Sequence, residues 1–532
     1  MMSTLTMVSR ITGFLRIWAT AFALGASGLM SAYSVANNIP NMIFELVAGG
    51  IISALFIPMF MELRESKGDE EAWAFTSHVF NLALLCLGVL GLVGTIFPQP
   101  FIWTQTFRMS PGEAAKVVPA ATFFFRFFAI QVVLYGAGSI VSALLNSQRK
   151  YFWPAIGPVF NNIVAIGAMI AFVVLGGDAT STTRVSGPAA IVLAGGTTLA
   201  VLVMFAVQVP AVLKTGWRYS GGLGLHDPAV RRMLKLAIPT VVYVITNLVA
   251  VSFRNASALA VSAHGVSVLT YAWVFYQLPY GIIAVALSTA VFTELSESAG
   301  RKDDVVFKET FARGLRATGV LTLPTSAVMV ALSVPLVTLY RVGAFTAEDI
   351  APVASALRWW AGGLIFYALT MFLLRAFYSL KDTRTPMWVN LVLTGGIQIT
   401  LYLLLSTGIG SWAGVGINGM PMADVATYLC IAATLAYLLR RRIGGYDGRV
   451  VVWTFARMAV AAVLGGGAAW GVTQLLAPLS GTVPGALVQI AVGGSVGLAL
   501  AFALGHAFGV VEVAQGLALV RRVIGARSGR GA

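Results

Sequence analysis

Charge of either sign is scarce in this chain: only 10% of its 532 residues are Asp, Glu, Lys or Arg, and the acidic ones number 20. A soluble domain carries about 25% charged residues. With 58% hydrophobic residues and a mean hydropathy of +0.85, too little polar surface remains to cover a water-soluble fold. Histidine is also sparse, with four scattered positions (His78, His226, His264, His506), no HExxH pair, and no GxxxxGK[ST] loop anywhere in the chain. Zinc-dependent hydrolysis and nucleotide-driven chemistry by this chain alone are therefore disfavoured, no cofactor is called for, and the reading is a transporter, not an enzyme. The two cysteines, Cys86 and Cys430, lie in apolar runs and form no Cys-x-x-Cys pair, which argues against a metal framework or a redox pair.

What the chain has in abundance is long apolar runs. A hydrocarbon core about 30 Å thick needs roughly 20 apolar residues per helical crossing, because in lipid each backbone polar group must be satisfied within its own segment. Runs of that kind fall near 9–35, 40–61, 75–97, 117–145, 153–176, 187–213, 236–256, 263–293, 317–340, 350–378, 386–406, 420–439, 458–477 and 483–508, fourteen in all. The period-two alternation of an outer-membrane barrel is missing, so the expected class is an all-α polytopic membrane protein.

The formal charge of +15 would suit nucleic acid if the basic residues clustered on one soluble face. They do not. With both termini cytoplasmic, 27 of the 35 Lys and Arg fall on the inner side, 4 on the outer side (Arg108, Lys116, Arg184, Arg341) and 4 within spans (Arg126, Arg254, Arg358, Arg375). This is the positive-inside pattern of a plasma-membrane protein, and it sets orientation and even parity. Arg10 and Arg16 ahead of an apolar run ending in small residues (Ala23 to Ser27) imitate a signal peptide, but cleavage would leave thirteen spans and break that parity.

A repeat recurs at an offset of 232 residues, pairing the segment that closes at Pro154 with the one that closes at Pro386. In each copy an aromatic and basic turn leads to an acidic cluster (Glu113; Glu348 and Asp349), then an Arg flanked by aromatics (Arg126; Arg358), then a basic loop ending in Pro. Six spans separate the copies, so they share orientation and the repeat is parallel. The expected organisation is an N-lobe over 1–215, a C-lobe with its preceding cytoplasmic loop over 216–442, a two-helix hairpin over 443–508 and a basic cytoplasmic tail over 509–532. Two lobes suit alternating access, although a channel or a lipid-embedded enzyme also arises by duplication.

Ionisable groups inside a membrane cost a few kcal/mol or more and face cavities or partners. Here they are mostly cationic. Arg10 and Arg16 in the first span and Arg254 in the seventh are the first candidates for holding a phosphate or pyrophosphate, since a guanidinium donates two parallel hydrogen bonds and stays charged. Glu45, Asn247, Arg375 and Asp424 are secondary candidates; Glu45 and Asp424 are also explained as partners of a neighbouring Arg. Arg126, Arg358 and Arg375 lie near span ends beside aromatics, where snorkelling to the interface is the plainer reading. Pro279, Gly49 and Gly50 are hinge candidates, with helix packing as the competing role.

The segments SRITGFLR (9–16), ANNIPNMIFELVAGGIISALFIPMF (36–60), GAFTAED (343–349) and RAFYSLKDTRTP (375–386) resemble, in order along most of the chain, the lipid II flippase family, MurJ or MviN. ELVAGG and QLPYG are similar to the actinobacterial type, here without an appended pseudokinase domain. The resemblance implies the multidrug/oligosaccharidyl-lipid/polysaccharide exporter fold, with lobes opening alternately to either side. It implies as substrate undecaprenyl-pyrophosphate carrying the peptidoglycan disaccharide-pentapeptide. It also implies functional roles for Arg10 and Arg16 and a lipid-tail groove at the hairpin. The chain departs from the family where Asp is frequent at Ser31 and Ile17 and Arg at Val274, and Arg254 is a candidate to supply the last charge. The sodium-binding carboxylates of some members have no counterpart in spans seven and eleven. Membrane potential is then the expected drive, at about 2.3 kcal/mol per charge per 100 mV.

Three functions follow. The first is a lipid II flippase in the bacterial plasma membrane. The second is an exporter of another polyprenyl-linked glycan or a drug on the same fold. The third is a non-transporting scaffold whose partners are membrane lipids and cell-wall synthesis proteins, with the basic tail (Arg521 to Arg530) as its contact. A drug exporter should present carboxylates to a cationic cargo, whereas the candidates here are mainly Arg.

Overall fold

The structure is a computed structural model that describes residues 2–47, 55–179, 187–279, 281, 285–516 and 518. The hinge candidates Gly49 and Gly50 and the basic tail from Arg521 to Arg530 lie outside the described residues. The described backbone is helical except for turns and a single isolated bridge between Ile409 and Trp412. Eight single helices and two bent pairs are long and apolar enough to cross a membrane. The helices Met2–Leu24, Gly28–Phe44, Ile57–Lys67, Gly265–Pro279, Val285–Gly300 and Asp304–Ala331 fall on the four other apolar runs of the sequence.

Helix starts are written locally. Ser27, Ser110, Asp227, Asp447 and Thr482 each accept a hydrogen bond from a backbone N–H two or three residues on. Pro follows at the first or second helical position at Pro111, Pro228 and Pro484, where its missing N–H leaves no donor unsatisfied. Apolar side chains point outward from these spans, as a lipid-facing surface requires: Leu92 is 62% exposed, Val463 70% and Val174 78%.

One boundary differs from the sequence reading. The first span ends at Leu24 and the second starts at Gly28, so Ala36 to Ile39, expected between spans, lie inside a helix. Asn-Asn-x-Pro carries the polarity of a loop, while the true turn, Gly25 to Ser27, is made of small residues that pass for apolar helix. Gly25 has φ +58, a left-handed conformation that glycine adopts without strain.

The duplication is imprinted on the backbone. Span four breaks between Phe128 and Gln131 with a 42° bend, and span ten breaks between Gly362 and Leu364 with a 48° bend. Arg149 and Lys381, one repeat apart, both sit at left-handed φ (59° and 58°) in the loops that follow. Span eleven carries a π-helical segment, Leu393–Gln398, at the Gly395-Gly396 pair. Pro40, Pro158, Pro239 and Pro279 all lie within helices.

The chain forms two compact units. The first comprises Met1–Thr270, Val342–Thr346 and Ser406–Gly416. In it spans one and five pack together, span two lies on span four, and span three on the second half of span four. Tyr33 meets Phe124 and Phe128 edge-on, at 5.6 and 5.5 Å. The second unit comprises Tyr271–Arg341, Ala347–Leu405 and Ile417–Ala532. There the terminal hairpin, Gly448–Leu475 with Val483–Ala507, packs against Asp304–Ala331. Glycines allow close approach within the hairpin, where a Cβ on Gly465 would lie 2.4 Å from the Gly497 carbonyl oxygen.

Candidate substrate-binding site

Within the first unit, polar stripes on several helices converge on one cavity of about 220 Å³. On Gly28–Phe44, Ser34, Asn37, Asn38 and Asn41 recur at i, i+3, i+4 and i+7, the spacing that puts four side chains on one helical face. Arg16 and Thr20 face them from span one, Tyr135 from span four, Asn161 from span five and Thr197 from span six. The Tyr33 hydroxyl and Thr197 Oγ1 lie 3.1 Å apart, Thr20 Oγ1 donates to the Arg16 carbonyl at 2.8 Å, and Asn41 Nδ2 donates to the Asn37 carbonyl at 2.8 Å. Span one is held in register by Asn162, whose Nδ2 donates to Thr12 Oγ1 at 3.0 Å.

The described lining contains one charged side chain, Arg16, surrounded by amides and hydroxyls. Such a lining has the chemistry to receive an anion: a guanidinium gives charge and a two-pronged donor, and the neutral amides add donors without adding a competing carboxylate among the described residues.

Of the other candidates, Arg10 is exposed, six residues from Arg16 on the same helix, and neither it nor Arg254 lines this cavity. Arg254 is half-buried on a stretch of span seven that is clamped by its neighbours. Asn255 Nδ2 donates to Gln105 Oε1 at 2.7 Å, and Phe253 meets Phe107 at 5.1 Å. Asn247 donates to Tyr243 O at 2.8 Å within its own helix. Glu45 is exposed and makes no ion pair among the described residues. Arg375 is half-buried in the second unit, and Arg358 donates through Nε to Ser333 Oγ at 2.8 Å. Asp424 is 1% exposed and accepts from Trp360 Nε1 at 2.8 Å, from Gln398 Nε2 at 2.7 Å and from the Tyr402 hydroxyl. These three neutral donors from spans ten and eleven hold it. Ser31 is fully buried and accepts from Ser267 N at 3.1 Å.

Sequence reasoning missed the asparagine stripe and Asn161. The stripe was legible in the 34/37/38/41 spacing, but only once that segment is recognised as helix. Asn161 carries no local signal, because one polar residue in an apolar span does not announce what it faces. The G-x-S-x-G spacing of Gly493 to Gly497 lies inside helix Val483–Ala507, not at the strand-to-helix turn that a nucleophile elbow needs. No group of three or more metal-binding side chains is found among the described residues.

The sequence model of the family described as lipid II flippase MurJ matches residues 20–490. This chain belongs to the lipid II flippase MurJ family. A Rhizobium meliloti relative named probable lipid II flippase MurJ is 28% identical over 532 residues, covering 98% of this chain and 94% of the relative. The lipid II flippase MurJ of Burkholderia cenocepacia is 26% identical over 450 residues, 83% of each chain. Among solved structures, lipid II flippase MurJ in an inward closed conformation matches with TM-score 0.75 at 22% identity, covering 94% of this chain and 97% of that one. An inward-facing multidrug resistance MATE transporter of the MOP superfamily matches with TM-score 0.65 at 17% identity, over 83% of this chain and 94% of that one. The MurJ-like fold expected from the sequence is therefore present, and in this family member the Arg16 cavity lies within the first unit.

Proposed function

We propose that this chain flips lipid II from the cytoplasmic to the outer leaflet of the bacterial plasma membrane by alternating access, with both termini cytoplasmic. The carrying observation is Arg16 inside an amide-lined cavity whose described lining has no carboxylate, in a MurJ family member. At about 220 Å³ the cavity is below the roughly 300–1,000 Å³ of a drug-sized pocket, which suits the pyrophosphate alone, with sugars, peptide and tail held elsewhere. Arg10, one helical face away toward the N-terminus, serves in capture; Arg254 supplies charge in the family's span-eight role. The hairpin over 443–508 takes the tail, and the membrane potential drives the cycle without sodium.

The absence of acidic lining opposes a cationic drug as cargo. An exporter of another polyprenyl-pyrophosphate glycan uses the same Arg16 chemistry and differs only in the sugar.

The test is complementation after depletion, reading lipid II accessibility at the outer leaflet. Two charge-assisted hydrogen bonds at about 1.5–3 kcal/mol each make Arg16→Ala lose about 100-fold or more in substrate affinity, with Arg16→Lys intermediate. Undiminished flipping by a variant lacking Arg10, Arg16 and Arg254 overturns the assignment.

A further inference from the structure

A second basic cavity lies wholly within the second unit, at the end of the hairpin away from the Ala477–Leu479 turn. It has a volume of about 440 Å³ and is lined by Arg316 of span nine, Arg449, Trp453 and Arg457 of span thirteen, and Gly509 and Glu512 just past span fourteen. Arg449, Trp453 and Arg457 recur at i, i+4 and i+8 and so share one helix face, about 6 Å apart per step. Helix Gly448–Leu475 begins one residue before Arg449, which puts Arg457 roughly 14 Å along its axis, among the exposed Val452 and Val460. Arg457 thus falls at the edge of the apolar run that begins at 458, where a membrane interface offers anionic groups to a cation.

The cavity's own carboxylate is already used. Glu512 is ion-paired with Arg316 Nε, and their side chains are 8% and 22% exposed. Arg449 and Arg457 are exposed and make no ion pair among the described residues, so the cavity carries two positive charges beyond its internal pair. Gly509 turns the chain beside Arg457 at φ +73, a left-handed conformation that suits glycine. Trp453 is 56% exposed and Val511 60%, so the basic floor has an apolar and aromatic rim.

We propose that this cavity binds the phosphate of an anionic phospholipid at the membrane interface. A free phosphate ion needs the arginines but has no use for the rim. A phospholipid uses both, its phosphodiester between Arg449 and Arg457, its glycerol against Trp453 and its acyl chains along the exposed valines. The site shares no lining residue with the Arg16 cavity, although its helix belongs to the hairpin to which the cargo's tail is assigned.

The experiment uses the full chain in neutral detergent, titrated with dioleoyl phosphatidylglycerol, dioleoyl phosphatidylcholine or inorganic phosphate, and counts bound ligand by native mass spectrometry. Arg449→Gln and Arg457→Gln are each expected to weaken phosphatidylglycerol binding about 5-fold. The double variant should lose about 30-fold, which is about 2 kcal/mol at 1.4 kcal/mol per decade. Phosphatidylcholine binding stays unchanged in all variants, and Arg126→Gln, an exposed arginine elsewhere, serves as the control with unaltered binding. Phosphatidylglycerol binding by the single and double variants within twofold of the parent chain overturns the site. Inorganic phosphate that displaces the lipid at equal concentration overturns the lipid as its occupant. The flipping assay and the Arg16 variants are unaffected by either outcome.

Discussion

Replacing Asp424 tests whether the buried polar network of the second unit is held by this one carboxylate. Asp424→Leu removes the acceptor shared by Trp360 Nε1, Gln398 Nε2 and the Tyr402 hydroxyl. Gln398 keeps a partner, because its Nε2 also lies 2.9 Å from the Tyr402 oxygen. The Trp360 N–H and the Tyr402 O–H are left buried without their acceptor, at about 1–3 kcal/mol each, so the expected loss is about 4 kcal/mol. Asp424→Asn retains one oxygen for Gln398 and Tyr402 but turns an NH2 group toward the Trp360 N–H, for a loss of about 2 kcal/mol. Equilibrium unfolding in mixed micelles of increasing SDS fraction measures both. In a Trp360→Phe background the opposing donor is gone, and the Asn substitution should cost at least about 1 kcal/mol less, a coupling only neighbours show. Stability of Asp424→Leu within about 0.5 kcal/mol of the parent would refute the reasoning, as would strict additivity in the cycle.

Three further outcomes are expected. Asp382, in the loop before span eleven, is pushed up by burial. Its hydrogen bonds from Thr385 and its ion pair with Arg442 outweigh this and hold its carboxyl below the ordinary 3.8. A depressed folded value stabilises above the unfolded pKa and is lost as pH falls through the folded one. Unfolding midpoints should thus show an acid-side fall below about pH 4 that Asp382→Asn reduces. Gly25→Val places a β-branched residue at φ +58 with its Cβ 2.3 Å from the Ala344 carbonyl oxygen. It should lower stability by about 3 kcal/mol or more, whereas Gly467→Ala, inside a helix with open space around its Cβ position, should have a much smaller effect in the same assay. Arg108 donates to Ser257 and Ser406 at 2.8 and 2.9 Å and to Thr407 at 3.0 Å, tying the ends of spans seven and eleven within the first unit. Arg108→Met should lose about 2 kcal/mol after allowing for its partial exposure, and faster proteolysis of the 406–416 segment would report it.

Much of the architecture was readable before any coordinates because it rests on additive or local quantities. Hydropathy runs of about 20 residues mark spans wherever backbone groups must be satisfied in lipid. The 232-residue repeat predicted twin elements, and spans four and ten both bend while Arg149 and Lys381 share a left-handed φ. Arg16 was legible as a candidate because a charge within an apolar run stands out from its neighbours. The turn at Gly25 to Ser27 was not, since small residues are compatible with both helix and turn, and Asn37 to Pro40 carry loop-like chemistry inside a helix.

The sequence by itself determined the all-helical membrane class, the duplication and the scarcity of acid near the candidate arginines. Only the tertiary structure decided which faces meet: that Asn161 looks across at the Asn37 stripe and Arg16, that Asp424 gathers donors from two other spans, and that Arg449 and Arg457 open onto one cavity beside an occupied ion pair. The physical reason is that the 3.6-residue period settles which side chains share a face of one helix, but lipid is as apolar as a helix interface. Hydrophobicity therefore cannot tell an outward face from an inward one. That choice is made by close packing of small residues and by polar groups finding partners across distances in the chain that no local pattern records.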